Sequence, residues 1–168
     1  MRDRSGRGYL VPMAEYYSGL ACQNGHAISS GVELGFSSNH CEDCGAAAVA
    51  SCQNCKTSLR GSYKSGLSTS KWCPPAFCHG CGAPFPWTLA KIGAVRELTD
   101  AIDELTAHER NQLLEFLPHI LADTPRTEPA AFKAAAIIGR ITGPGKKVLY
   151  DLLINLAADG AKRVLAGG

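Results

Sequence analysis

The stretch Cys22-Gln23-Asn24-Gly25-His26 (CQNGH), followed after a cysteine-free gap by Cys41-Glu42-Asp43-Cys44-Gly45 (CEDCG), decides how this chain folds. A C-x-x-C pair running into glycine has the form of a metal knuckle. The backbone folds back so that its N–H groups point at the thiolates, and the residue after the second cysteine often needs φ > 0, which glycine adopts without strain. In CQNGH a histidine stands where a partner cysteine is expected. Asn-Gly is a strong turn dipeptide, and it brings His26 round to the metal that Cys22 holds. The expected product is a zinc site of three cysteines and one histidine, with Cys41 and Cys44 facing Cys22 and His26.

Two further pairs, Cys52/Cys55 and Cys78/Cys81, have zinc-ribbon spacing, and the second again runs into glycine in CHGCG. Together they predict a four-cysteine site, so that the chain holds two structural zinc ions. Zinc in a closed tetrahedron of protein ligands has no open position for water or substrate, which argues against a metallohydrolase. Metal binding in so small a region is also folding energy. Sequential pairing builds two local ribbons in tandem. A crossed arrangement, joining Cys22/His26 with Cys52/Cys55 and Cys41/Cys44 with Cys78/Cys81, uses the same residues, as does a nested one. The crossed form is what a ligase recruiting a charged carrier through crossed zinc fingers would require. Iron on four thiolates would use the same ligands, whereas redox dithiol chemistry needs fewer. Cys73 remains over as a loop thiol. His40 and His79 flank ligands but exceed the coordination count, and His108 and His119 lie far from any cysteine.

The wider composition agrees with metal over disulfides. The chain has 168 residues, a net charge of +2 and eight cysteines, all in its first half. It has no apolar run long enough to span a membrane. The start MRDRSGRGYLVPMAEYY lacks the apolar core of a signal peptide, which makes the cytoplasm the expected location. Thiols there are kept reduced, so clustered cysteines favour metal.

The segments YYSGLACQNGH, HCEDCGAAAVASCQNCKTSLRGSY and PPAFCHGCGAPFPWT, with the later LADTPRT, resemble a bacterial zinc-ribbon family catalogued as a domain of unknown function. The resemblance runs from about Met13 to Thr127, is strongest in the ribbons and fades toward the C-terminus. It implies the ligand set Cys22, His26, Cys41, Cys44, Cys52, Cys55, Cys78 and Cys81, and it implies no activity. The chain departs from the pattern at Lys56, where a glycine often follows the pair, and at the extra Cys73. Residues 1–12 precede the usual start, which points to Met13 as the initiator and to 1–12 as a non-native or disordered extension.

Charge is uneven along the ribbons. Between Cys44 and Arg96 there is no Asp or Glu, while Lys56, Arg60, Lys64 and Lys71 alternate with Tyr63 and Trp72. Cations beside rings form a candidate nucleic-acid surface, with Tyr63 and Trp72 as the rings expected to be exposed. The same lysines also balance the negative charge of a zinc–thiolate centre. Phe85 and Trp87 are expected to pack the two halves of the chain together. Leu59–Trp72 reads as a loop or hairpin extending from the second ribbon.

From residue 87 the apolar period becomes helical. Thr88 is the expected N-cap of a helix to about Leu105. Thr106–Glu109 reads as a capping box for a second helix carrying Leu113, Leu114 and Leu117. Pro118 is expected to kink or restart it. ADTPRTEP reads as a linker, and Pro129 as a first-turn residue of a helix toward Thr142. The last helix, about 146–165, places Leu149, Leu152, Leu153 and Leu156 on one stripe, and the terminal glycines simply end it.

The fold class expected is small α+β: tandem zinc ribbons built on short β-hairpins, followed by an α-helical C-terminal region. The expected domains are a ribbon region over 13–86, a helical region packed on it over 87–124, and a helical arm over 125–168. No nucleophile–base pair, phosphate loop or open metal site is legible. The expected function is a non-enzymatic zinc-binding adaptor for a protein partner, with self-association through the C-terminal helices as a further mode. Nucleic-acid binding through Lys56, Arg60, Tyr63, Lys64, Lys71 and Trp72 is the alternative.

Overall fold

The computed structural model describes residues 16–64 and 71–166. The extension expected over residues 1–12, the middle of the loop at residues 65–70, and the terminal Gly167 and Gly168 lie outside the described residues. The chain divides into two compact units, with the boundary between Trp87 and Thr88.

Among the described residues the first unit contains five short strands: β1 (Tyr16–Ser18), β2 (Leu20–Cys22), β3 (Ala27–Ser29), β4 (Ala48–Val49) and β5 (Arg60–Tyr63). They form two small antiparallel sheets, ordered β3-β2-β4 and β1-β5. The hairpin β2–β3 carries the Cys22 knuckle. The other knuckles are closed by single bridges, His40 to Ala47, Ser51 to Ser58 and Phe77 to Pro84, so the expected hairpins are trimmed to their last pair. Because β5 follows the third knuckle yet pairs with β1 ahead of the first, the two ribbons are sewn into one unit. That pairing demands a glycine at one point. A Cβ on Gly61 would lie 2.2 Å from the Ser30 carbonyl oxygen, against backbone that cannot yield.

The apolar core of this unit is thin: Ala21, Val49, Leu59, Phe85 and Trp87, with the ligands Cys52 and Cys78. Phe85 and Trp87 stack with ring centroids 4.7 Å apart. The Trp87 indole N–H donates to the Pro75 carbonyl at 3.0 Å, and the ring lies over Gly25. These contacts are all inside the ribbon unit, so the pair serves that core. Trp72, expected to be exposed, is half-buried against the same cluster, its ring covering Gly19.

The second unit is helical: α1 (Pro86–Asp100, its first two residues preceding the boundary), α2 (Ala107–Leu121), α3 (Thr127–Gly139), α4 (Gly145–Leu156) and α5 (Asp159–Ala166). α1 starts at Pro86, where a proline's missing N–H costs nothing, and Thr88 is buried inside it and is not its cap. It stops at Asp100, short of Leu105, and the turns that follow deliver Ile102 and Leu105 to the core. Thr106 caps α2 as expected: Glu109 N–H donates to Thr106 Oγ1 at 3.2 Å, and Thr106 N–H donates to Glu109 Oε2 at 2.9 Å. α2 continues through Pro118, which forgoes one backbone bond, that to the Leu114 carbonyl, and ends three residues later. The expected linker shortens to a turn in which Thr124 N–H donates to Thr127 Oγ1 at 2.7 Å, and α3 begins at Thr127.

The long last helix is two helices. Ala157 adopts an extended backbone, and the Ala158 N–H reaches the Ile120 carbonyl at 2.9 Å. That bond satisfies one of the carbonyls left free at the end of α2. α3 packs against α2, α4 and α5, and one core runs from Val95 through Leu117 and Ile138 to Leu153 and Leu165. The division expected at 124/125 therefore falls inside a single packed unit. The stripe of Leu149 and Leu153 faces that core and is not an open docking face.

Candidate metal centres

Each ligand pair is presented by a turn of the same form. In the three C-x-x-C knuckles the N–H of the fifth residue closes back on the first cysteine's carbonyl: Gly45 to Cys41 at 2.8 Å, Lys56 to Cys52 at 2.9 Å, Gly82 to Cys78 at 2.8 Å. That fifth residue is left-handed each time, with φ of 69°, 61° and 72°. In CQNGH the left-handed residue comes one position earlier, at Gly25 with φ 86°, and its N–H closes on Cys22 at 2.9 Å. The tighter turn leaves the histidine, the longer side chain, to reach the metal from the fifth position.

Lys56 holds this left-handed backbone without being glycine, at a cost of roughly 1–2 kcal/mol. Its ammonium returns to the Gln53 carbonyl at 3.0 Å, a partial offset. Lys56→Gly is expected to stabilise the zinc-loaded ribbon unit by up to about 1 kcal/mol, read as a higher denaturant midpoint of tryptophan emission. A lower midpoint would show that the ammonium contact outweighs the backbone strain.

The structure brings together Cys22, His26, Cys41 and Cys44 in one group and Cys52, Cys55, Cys78 and Cys81 in another, with all ligand atoms of a group within 4.8 Å of one another. The grouping is sequential, not crossed or nested. The spacings match zinc. With Zn–S of about 2.3 Å and Zn–N of about 2.0–2.1 Å, a regular tetrahedron has S···S edges of about 3.8 Å and S···N edges of about 3.5 Å. Cys22 Sγ lies 3.8 Å from Cys44 Sγ, and His26 Nδ1 lies 3.5 Å from Cys41 Sγ. In the second group Cys52–Cys81 and Cys55–Cys78 are 3.7 and 3.6 Å apart. Both groups fit a structural zinc ion, and both are complete without an external ligand.

In each pair the first ligand is buried and the second exposed. Backbone donors reach the buried thiolates: His26 N–H to Cys22 and Gly80 N–H to Cys78, both at 3.3 Å. Before metal binds, the thiols are unequal. The Ala46 N–H, with the Asn24 carboxamide, lowers Cys44 to about 6. The Thr57 hydroxyl and N–H lower Cys55 to about 6. The Cys55 N–H lowers Cys52, while burial raises Cys41. At Cys78 the Gly80 N–H pulls downward, but burial and the neighbouring Cys55 and Cys52 outweigh it and push the thiol up to about 11. Zinc arriving at neutral pH thus meets thiolates at Cys44 and Cys55 and displaces protons from Cys41 and Cys78, so metal is held more tightly as pH rises.

Cys73 lies outside both groups, exposed, with its thiol near the Lys71 carbonyl at 3.8 Å. His40 and His79 are exposed and outside them as well. The candidate nucleic-acid residues are only partly gathered. The β1–β5 pairing sets Arg60 over the Tyr16 ring at 4.6 Å, Tyr63 edge-on to Tyr16 at 5.4 Å, and Lys64 over Tyr17 at 5.5 Å. Lys56 belongs to the third knuckle, at the second metal group, and Trp72 to the core. Tyr16 and Tyr17 escape the sequence reading because they precede the cysteines, and nothing local announces that β1 pairs with β5. The contacts of Asn24 and Asn54 to cysteine sulfur also escape it, although CQN stands at both Cys22–Asn24 and Cys52–Asn54.

Two complete four-ligand groups on tandem knuckles define a zinc-binding module of the ribbon class. The chain belongs to the family described as "Uncharacterized protein conserved in bacteria (DUF2321)", whose model matches residues 15–165 and so takes in the helices as well as the ribbons. Comparison with the curated proteins and with the solved structures returns no match.

Proposed function

We propose that this protein is a non-enzymatic interaction module, in which two structural zinc ions hold a ribbon unit that docks a protein partner. The observation that carries the reading is a set of large apolar and aromatic side chains left exposed on the ribbon unit. Phe36 is 71% exposed, Leu34 55%, Tyr63 43% and Tyr16 41%. Leu34 ends a 3-10 turn at Val32–Leu34, whose Glu33 carboxylate accepts from the Ser18 N–H at 3.0 Å and so ties the turn to β1. Leu34 and Tyr17 crowd together over Gly31. Beside them a cleft of about 320 Å³ opens between β1, residues 57–60 and His79. Apolar and aromatic side chains of this kind are the usual anchors of protein interfaces.

Charge favours protein over nucleic acid. Residues 16–87 carry Lys56, Arg60, Lys64 and Lys71 against Glu33, Glu42 and Asp43, one surplus positive charge. Zinc on three thiolates and a neutral imidazole adds one negative charge, and zinc on four thiolates adds two, leaving the loaded unit at about −2. Phosphate binding draws its affinity from the opposite balance. The sequential grouping also lacks the crossed fingers that a ligase reading requires. Nucleic-acid binding keeps one specific support, the cluster of Arg60, Tyr16 and Tyr63.

A photo-crosslinking residue at Phe36 or Tyr63, in bacterial cells expressing the zinc-loaded protein, is expected to trap a discrete protein. Leu34→Ser should abolish the adduct at unchanged zinc content. Salt-sensitive binding of single-stranded RNA or DNA at micromolar protein, lost in Arg60→Ala, would transfer the assignment to nucleic acid.

A further inference from the structure

We propose that Asn24 and Asn54 are equivalent positioning residues, each using its carboxamide to clamp the solvent-facing cysteine of the opposite knuckle and thereby slow zinc release. The tripeptide Cys-Gln-Asn begins the first knuckle of both sites, at Cys22 and at Cys52. In both, the asparagine crosses the metal cluster instead of serving its own knuckle. Asn24 Nδ2 donates to Cys44 Sγ at 3.4 Å, and Asn54 Nδ2 donates to Cys81 Sγ at 3.6 Å. The acceptor is the last cysteine of its site each time, and each time it is an exposed thiol. Two sites with different ligand sets, one containing histidine and one not, have the same donor in the same place.

The chemistry gives that placement a consequence. A thiolate bound to zinc carries excess negative charge, and an N–H donated to it makes a charge-assisted hydrogen bond. Chelators, competing thiols and protons reach a zinc site first through its exposed sulfurs, and in these sites Cys44 and Cys81 are such sulfurs. A carboxamide seated on each ties the two knuckles together across the metal. Partners of this kind around a metal are worth about 10–100-fold in affinity.

The variants Asn24→Asp and Asn54→Asp test this in the full chain. Asp-Gly turns as well as Asn-Gly, so Asn24→Asp keeps the turn while replacing a donor with a like charge. Zinc transfer to a chromogenic chelator should be biphasic, with one of the two ions leaving tenfold or more faster in each variant. Pulsed alkylation should place the opened site at Cys22, Cys41 and Cys44 for Asn24→Asp, and at Cys52, Cys55, Cys78 and Cys81 for Asn54→Asp. In cobalt-substituted protein the thiolate-to-metal charge-transfer band should move to lower energy, a change that a turn defect alone would not produce. Parent-like release, simultaneous loosening of both sites, or an unshifted cobalt band would each overturn the proposal. The inference rests on both groups holding zinc. The metal stoichiometry of the unaltered protein tests that separately, since a parent protein with one ion or none fails the zinc reading before any variant is compared.

Discussion

Removing zinc is expected to unfold the ribbon unit and leave the helical unit folded. Among the described residues, the ribbon core amounts to a handful of apolar side chains plus two of the zinc ligands. Its strands are two to four residues long. Without metal, the buried Cys52 and Cys78 lose the ion that joins them to Cys55 and Cys81, and short strands of this kind do not stand alone. The core of the helical unit continues through α1 to α5, and among the described residues neither metal group draws a ligand from it. Both tryptophans report on the ribbon side, Trp87 being 3% exposed and Trp72 half-buried. Chelation should therefore shift tryptophan emission to the red while far-UV dichroism keeps its helical signature. Cys78→Ser should do the same without chelator. Helicity lost in step with the emission change would show that the two units fold as one, and an unmoved emission would show that zinc is dispensable.

The second large effect is expected in the helical core. Leu117 is fully buried in α2, where Ala130, Ala131 and Ala134 of α3 belong to the same cluster. Truncating it leaves a cavity that small, already close-packed neighbours cannot collapse to fill. Leu117→Ala should cost about 3 kcal/mol, within the 2–5 kcal/mol typical of such deletions. Urea unfolding followed by far-UV dichroism would measure it, and mass spectrometry of the native protein should still find two zinc ions. A loss under about 1 kcal/mol would mean that this position repacks. Zinc loss in the same variant would couple the two units energetically.

Much of the metal chemistry was legible because it is local. A C-x-x-C pair, the left-handed residue after it and the Asn-Gly turn before His26 are decided within five residues of backbone. The capping box at Thr106 was legible for the same reason. The asparagines that donate to cysteine sulfurs were written in the repeated CQN, but which sulfur they meet depends on the opposing knuckle.

Helix ends were harder, since periodicity fixes a face but not a stop. α1 ends at Asp100 because the chain must turn to place Ile102 and Leu105 in the core. The break at Ala157 frees the Ala158 N–H for the Ile120 carbonyl, thirty-eight residues before it in the sequence and invisible to any local pattern. Trp72 reads as an exposed ring beside basic residues, yet the absence of a side chain on Gly19 lets it lie against the core.

By itself, then, the sequence determined the eight ligands, their presentation in pairs, the α+β class and the succession of ribbons and helices. Tertiary structure alone decided which pairs share a metal, that β5 closes on β1, and that the helices on both sides of residue 125 bury a single core. The division has a physical cause. Ligand geometry and turns are set by short-range sterics and hydrogen bonds, whereas pairing and burial depend on which distant groups can satisfy one another once the chain has closed.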